Sequence, residues 1–290
     1  MTLPDSDTIK GIALDLDGTT LMPGAVLGER TLKTLRSLLA HHIQIIICTG
    51  RSCLSAERFR ASIGTTGPMV FFNGAEVTDV PSGTVLKTTL LDWDIVDFCV
   101  DLARQYNAYF QVFFPKPPCA ETGSLERLLM ADTWRGEAEV YQKFSKTPIK
   151  TSDLKEAIHQ NQEKGCLKAM FIAQQPHVLA TVRHSMEEAF GSKIYIAQSQ
   201  SDFLEIMDAT ANKGNGLRVA LAQRGLEQEA ILAFGDGEND LPLFKAAAFS
   251  IVPSQARASV KSAADLVVGP NSEEGVAAFL ETFFKLELRV

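Results

Sequence analysis

The chain has 290 residues, 46% hydrophobic and 22% charged, a globular balance that argues against disorder as its main state. Its formal net charge of −7 argues against a general nucleic-acid role, which needs a basic footprint, but leaves room for a local basic pocket. No apolar run of about 18 residues marks a membrane span. Residues 1–10 lack the basic and apolar stretches of a secretory signal, and five scattered cysteines without a C-x-x-C pair fit reduced thiols, so a cytoplasmic location is the expectation.

The first elements alternate. Ile12 to Leu16 is a short apolar run that predicts a buried strand followed by a turn. Gly28 to His41 has helical spacing, with Leu32, Leu35, Leu38 and Leu39 on one face. Ile43 to Cys48 predicts a second buried strand, Leu54 to Ile63 a helix, and Met69 to Phe72 a third strand. This β-α-β-α-β order implies an α/β fold with a parallel sheet covered by helices on both faces.

The middle differs. Ala108 to Phe114, Leu167 to Ile172 and Lys193 to Ala197 predict strands, Ser152 to Gln162 and Pro176 to Phe190 helices, and Pro115 to Pro118 a break. The mixture predicts an inserted α+β domain. After about Ala211 the first style returns: helix over Gly214 to Arg224, strand over Ile231 to Phe234, and helix over Asp240 to Ala247. Short strands over Phe249 to Val252 and Asp265 to Val268 precede a closing helix over Glu274 to Leu286. The expected division is a core of residues 1–82 and 203–290 around an insert of residues 83–202, the first boundary set by the Pro81-Ser82-Gly83 turn signal.

Five stretches carry candidate chemistry, each following or lying close to the end of a predicted core element. In Asp15-Leu16-Asp17-Gly18-Thr19 two carboxylates leave a strand end, where open parallel sheets bind ligands. One aspartate can attack phosphorus, and the other can give a proton to the leaving oxygen and take one from water. A solvated acidic turn is the bland alternative. In Gly235-Asp236-Gly237-Glu238-Asn239-Asp240, three carboxylates at one strand end repel one another unless a hard cation such as Mg2+ sits among them. A glycine turn with Asp240 as helix cap would account for the same residues. Thr49-Gly50-Arg51 could hold phosphate oxygens at a helix start, although alone it reads as an ordinary loop. Lys213 could neutralise phosphoryl charge, although a lone lysine usually lies on the surface. Asn73-Gly74 is equally a turn pair or a substrate loop.

Together and in this order, these residues resemble the haloacid dehalogenase superfamily, specifically its Cof-type phosphatases. The resemblance rests on D-L-D-G-T at Asp15 to Thr19, T-G-R at Thr49 to Arg51 and N-G-A at Asn73 to Ala75. It extends to N-K-G around Lys213, G-D-G-E-N-D at Gly235 to Asp240, and the closing stretch Asn271-Ser272-Glu273-Glu274-Gly275-Val276. It implies a Rossmann-like three-layer core with an inserted cap domain that sets substrate specificity. It also implies a Mg2+-dependent phosphatase acting on a small phosphorylated molecule, such as a sugar phosphate or phosphorylated cofactor, with no nucleic-acid or membrane partner. Asp15 would be the nucleophile and Asp17 the general acid and base. Asp15, the Asp17 carbonyl and Asp236 would hold the metal, with Asp240 supporting. Thr49, Gly50 and Lys213 would bind phosphate, Asn239 would contact phosphate or order the metal shell, and Asn73 would support the site. The stretch before Lys213 lacks the proline often found in relatives, and the insert offers no pattern tied to a substrate.

A phosphomutase or phosphotransferase on the same fold would use Asp15 with a sugar acceptor. A binding module retaining the fold is the non-enzyme alternative. A dehalogenase has no need of the acid at Asp17. P-loop and dinucleotide-binding classes are disfavoured, because neither G-x-x-x-x-G-K-[ST] nor a G-x-G-x-x-G after the first strand occurs.

Overall fold

The computed structural model describes residues 2–115, 129–133, 135–145, 148–160 and 165–286. Residues 116–118 of the expected proline-rich break, 161–162 of the expected helix and Cys119 lie outside them. The chain divides into two compact units, one of residues 1–50, 56–87 and 212–290, the other of residues 51–55 and 88–211.

In chain order the first unit opens with strand β1 (Gly11–Leu14), helix α1 (Glu29–Ala40), β2 (Gln44–Ile47), α2 (Cys53–Ile63), β3 (Gly67–Phe71), β4 (Glu76–Val80) and β5 (Thr84–Thr88). The second unit carries α3 (Trp93–Gln105), β6 (Tyr109–Phe113), β7 (Leu129–Ala131), α4 (Gly136–Ser145), β8 (Lys150–Thr151), α5 (Leu154–Gln160), β9 (Lys168–Ile172), α6 (Pro176–Phe190), β10 (Ile194–Gln200) and β11 (Phe203–Asp208). The chain returns to the first unit with α7 (Lys213–Arg224), β12 (Ile231–Phe234), α8 (Leu241–Phe244), β13 (Phe249–Pro253), α9 (Ala258–Ala263), β14 (Leu266–Val268) and α10 (Gly275–Phe283).

The first unit is built on a five-stranded sheet of order β14-β13-β12-β1-β2, in which every pairing is parallel. Its strands are continuous apolar runs because both faces are covered. In β1, Ile12 and Leu14 enter one hydrophobic cluster while Ala13 enters the other; in β12, Leu232 and Phe234 divide from Ile231 and Ala233 in the same way. Each of the Ile, Leu and Phe side chains contributes about 1.5–3 kcal/mol by leaving water. The third strand departs from expectation. β3 belongs to a separate antiparallel sheet with β4 and β5, and lies beside β2 of the parallel sheet with an isolated bridge between Cys48 and Val70. The Pro81-Ser82-Gly83 turn joins β4 to β5, so the chain continues in the first unit to residue 87.

The second unit is an α+β layer. Its six-stranded sheet has order β10-β11-β9-β6-β7-β8 and is antiparallel except where β7 meets β8. Phe110, Val112, Phe171, Leu204 and Ile206 form one core with α3, α5 and α6. Because β11 pairs with both β9 and β10, residues 203–211 belong to this unit rather than starting the return segment at 203. Among the described residues, no helix is long and apolar enough to cross a membrane.

Candidate active site

The parallel sheet places several chain stretches at its carboxyl edge. Asp15 follows β1, and its amide donates to Phe234 O at 2.9 Å, tying it to the end of β12. Asp236 follows β12 by one glycine. Thr49 follows β2; its amide donates to Val70 O, and its carbonyl accepts from the Asn73 amide, each at 3.0 Å. Lys213 is the first residue of α7, whose start is fixed by Asn212: the Asn212 side chain accepts from the Asn215 amide at 2.9 Å. Gly74 explains the close approach of this helix start. Its φ is +100°, and a Cβ there would lie 2.1 Å from Asn212 O, so the N-G pair lets the backbone carrying Lys213 come close.

Lys213 is fully buried and donates to Asp15 Oδ1 at 2.7 Å and Asp240 Oδ1 at 2.6 Å. Asp240 Oδ2 in turn accepts from the amides of Asp236 and Gly237 at 3.0 Å, so both oxygens of Asp240 are engaged in holding the loop and the lysine. Asp236 is half-buried, and its Oδ1 accepts from Thr19 Oγ1 at 2.7 Å. Gly18, at φ +78°, lies where a Cβ would sit 2.3 Å from Asp236 Oδ2, which admits only glycine beside that carboxylate.

Asp15, Asp236 and Asp240 each bring one oxygen within 4.8 Å of the others. Burial, and then the surrounding carboxylates, hold Asp15 well above the usual carboxylate range despite the opposing pull of Lys213. Burial, followed by the charge of Asp240, pushes Asp236 up to about 6. The charge on Asp17 raises both as a lesser cause, so it acts on the same cluster. Burial lowers Lys213, but Asp15 and Asp240 outweigh it and raise the ammonium well above its ordinary value. One ammonium therefore faces an excess of carboxylate. Hard oxygen donors with uncompensated negative charge suit a divalent cation, whereas thiolate-seeking metals find no cysteine in this cluster.

A second group adjoins through the chain. Asn239 Nδ2 donates to Asn73 Oδ1 at 3.0 Å, and the same amide of Asn73 packs against Gly50. Asn73, Asn239 and Thr49 are all buried. The nine residues singled out in the sequence thus fall into two groups in the first unit: Asp15, Asp17, Lys213, Asp236 and Asp240, and Thr49, Gly50, Asn73 and Asn239. Thr19 was not singled out as a site residue, although its hydroxyl secures Asp236 and it stood inside the quoted motif. Gln255 carried no sequence signal at all, yet its Nε2 donates to Gly18 O at 2.6 Å.

A parallel-sheet hydrolase with acidic strand ends and a buried lysine is the class that this fold and site define. The family model of the haloacid dehalogenase-like hydrolases matches residues 12–280, and the chain belongs to that family. The resemblance to its Cof-type members, and with it the class of phosphoric-monoester hydrolase, agrees with this membership. The chain is 29% identical to the HMP-PP phosphatase of Enterobacter sp. (strain 638), over 79% of this chain and 78% of that protein. It is 27% identical to the 5-amino-6-(5-phospho-D-ribitylamino)uracil phosphatase YitU of Bacillus subtilis, over 95% of this chain and 97% of that protein. In fold it is similar to a haloacid dehalogenase-like hydrolase from B. subtilis, with a TM-score of 0.81 at 21% identity over 94% of this chain and 99% of the other.

Proposed function

We propose that this chain is a magnesium-dependent phosphatase of small phosphomonoesters that works through an aspartyl-phosphate on Asp15. The observation that carries the reading is the Lys213 ammonium bonded to Asp15 and Asp240 at one sheet edge, with Asp236 alongside. Asp15 and Asp236, with the main-chain carbonyl of Asp17, would hold the cation. Bound Mg2+ supplies positive charge that offsets repulsion between the Asp15 carboxylate and the phosphoryl oxygens.

Asp15 attacks phosphorus as the ionised carboxylate while the bond to the leaving oxygen breaks. Asp17 gives that oxygen a proton, so the product departs as a neutral alcohol. Asp17, now ionised, takes a proton from water as the water attacks the aspartyl-phosphate. Inorganic phosphate leaves and Asp15 is regenerated. Lys213, bonded to Asp15 and Asp240, neutralises charge on the transferring group. Thr49 and the Gly50 backbone bind phosphate oxygens, and Asn239, steadied by Asn73, orders the surrounding shell. The inserted unit, which spans residues 88–211 rather than the expected 83–202, would serve as the domain that sets substrate specificity. The names of the two relatives supply HMP-PP and 5-amino-6-(5-phospho-D-ribitylamino)uracil as the first compounds of a substrate panel.

A phosphate-release screen with Mg2+ tests this. Turnover is expected in the wild-type protein, loss on chelation with EDTA, and a fall of about three orders of magnitude or more in Asp15→Asn. Turnover that survives Asp15→Asn overturns the mechanism.

A further inference from the structure

We propose that Gln255 and Asn271 are positioning residues for the loop that carries Asp17, an inference that rests on the acid–base role proposed above. The loop from Asp15 to Leu21 is irregular. Asp17 (φ −76°, ψ 127°) and Gly18 (φ 78°, ψ −12°) depart from helical dihedrals inside a turn closed by the Leu21 amide on Leu16 O at 2.8 Å. Rotation about the Asp17–Gly18 peptide would swing the Asp17 carboxylate.

Ties from remote parts of the chain restrain it. Gln255 Nε2 donates to Gly18 O at 2.6 Å, and Asn271 Nδ2 donates to Leu21 O at 2.7 Å. These two ties are themselves joined, because Gln255 Oε1 accepts from the Asn271 amide at 3.0 Å. Thr19 Oγ1 donates to Asp236 Oδ1 at 2.7 Å. Gly18, the most rotatable residue of the loop, is thus flanked by the Gln255 amide and the Asp236 carboxylate.

Gln255 is exposed, so water could satisfy both its amide and the Gly18 carbonyl, and its bond adds little to folding. Its effect is on direction: it fixes the Gly18–Thr19 peptide, one residue beyond the proton donor. Misdirection of a catalytic group is felt in the step that uses it, in proportion to how much that step needs it.

The leaving group supplies the readout. A p-nitrophenolate departs with little help from an acid, whereas an alkoxide needs a proton. The experiment compares kcat/KM for p-nitrophenyl phosphate with that for the best alkyl phosphomonoester from the phosphate-release screen. Gln255→Glu keeps the side-chain length and the acceptor for the Asn271 amide, but presents an acceptor to the Gly18 carbonyl. We expect about a tenfold loss on the alkyl ester, the worth of one directed hydrogen bond, and at most about a threefold loss on the aryl ester, with Tm unchanged. Asn271→Asp, which loses the donor to Leu21, gives the same bias. Gln255→Met serves if the charged variant melts early. Equal losses on both esters, or none on either, overturn the inference. Should Gln255 variants behave as wild type while Asp15→Asn is inactive, this inference falls and the proposed reaction stands. Turnover surviving Asp15→Asn removes the reaction itself.

Discussion

Each unit of the molecule buries a lysine against a carboxylate, and the two pairs are built differently. In the second unit, Lys168 on β9 donates to Glu205 on β11 at 2.6 Å, and its ammonium lies 4.6 Å from the centre of the Phe113 ring. Cross-strand neighbours supply that arrangement: β9 pairs with both β6 and β11, which brings Phe113, Lys168 and Glu205 together on adjacent strands. In the first unit, Lys213 stands at a helix start and meets Asp15 and Asp240, which come from two different strand-end loops, with Asp236 close by. A Lys–Glu pair within a sheet joins neighbouring strands. An ammonium outnumbered by carboxylates leaves Asp15 and Asp236 raised by burial and by neighbouring carboxylates, Asp240 among them for both, an arrangement that folding alone does not favour. On the proposed function, the contrast is between a lysine buried for structure and one buried for chemistry.

Replacing each lysine sharpens that separation. Lys168→Met leaves Glu205 buried without its ammonium and is expected to lower unfolding stability by about 3–5 kcal/mol in urea titration. A loss below about 1 kcal/mol would break the comparison by showing that this pair is not structural. Lys213→Met is expected to lower kcat/KM by about 10²–10³-fold, the scale for removing one charge-stabilising donor, in an assay with Mg2+. Retention of near-wild-type turnover would place Lys213 with Lys168 as a folding residue.

The smallest effect concerns an ordinary surface pair of the second unit, Arg104 with Asp132, bonded at 2.9 Å. The hydrogen bond from Arg104 holds the Asp132 carboxyl below its ordinary value. A depressed carboxyl stabilises the fold above its unfolded pKa, and that contribution is lost as pH falls through the folded pKa. Asp132→Asn should therefore lower stability at neutral pH by less than about 1 kcal/mol, screened because Arg104 is well exposed, with the difference from wild type fading in acid below the ordinary aspartate value. A difference that grew in acid would reverse the assigned sign.

Much of the parallel core could be read because strands buried on both faces leave continuous apolar runs. Ile231–Phe234 and the helix Pro176–Phe190 match the expected spans residue for residue. The hairpin of β4 and β5 was missed: Pro81-Ser82-Gly83 signalled a turn, and a turn between domains and a turn within a hairpin have the same chemistry. Helix α3 was also missed, although Ile95, Val96, Cys99, Val100, Leu102 and Ala103 are buried at helical spacing. At the site, motif residues at strand ends were legible because acidic side chains and glycines cluster there for a reason. Gln255 was not, because nothing about an isolated glutamine in a polar loop foretells that it reaches Gly18 across 237 residues of chain.

The most direct test of the central claim is to follow the phosphoryl group itself. Acid quenching of the protein during turnover of a 32P-labelled phosphomonoester, followed by proteolysis, should give label on the peptide containing Asp15, labile to hydroxylamine as an acyl phosphate is. The label should be absent from Asp15→Asn. Turnover with label on another residue, or a full rate with no covalent label in single-turnover experiments, would contradict the account.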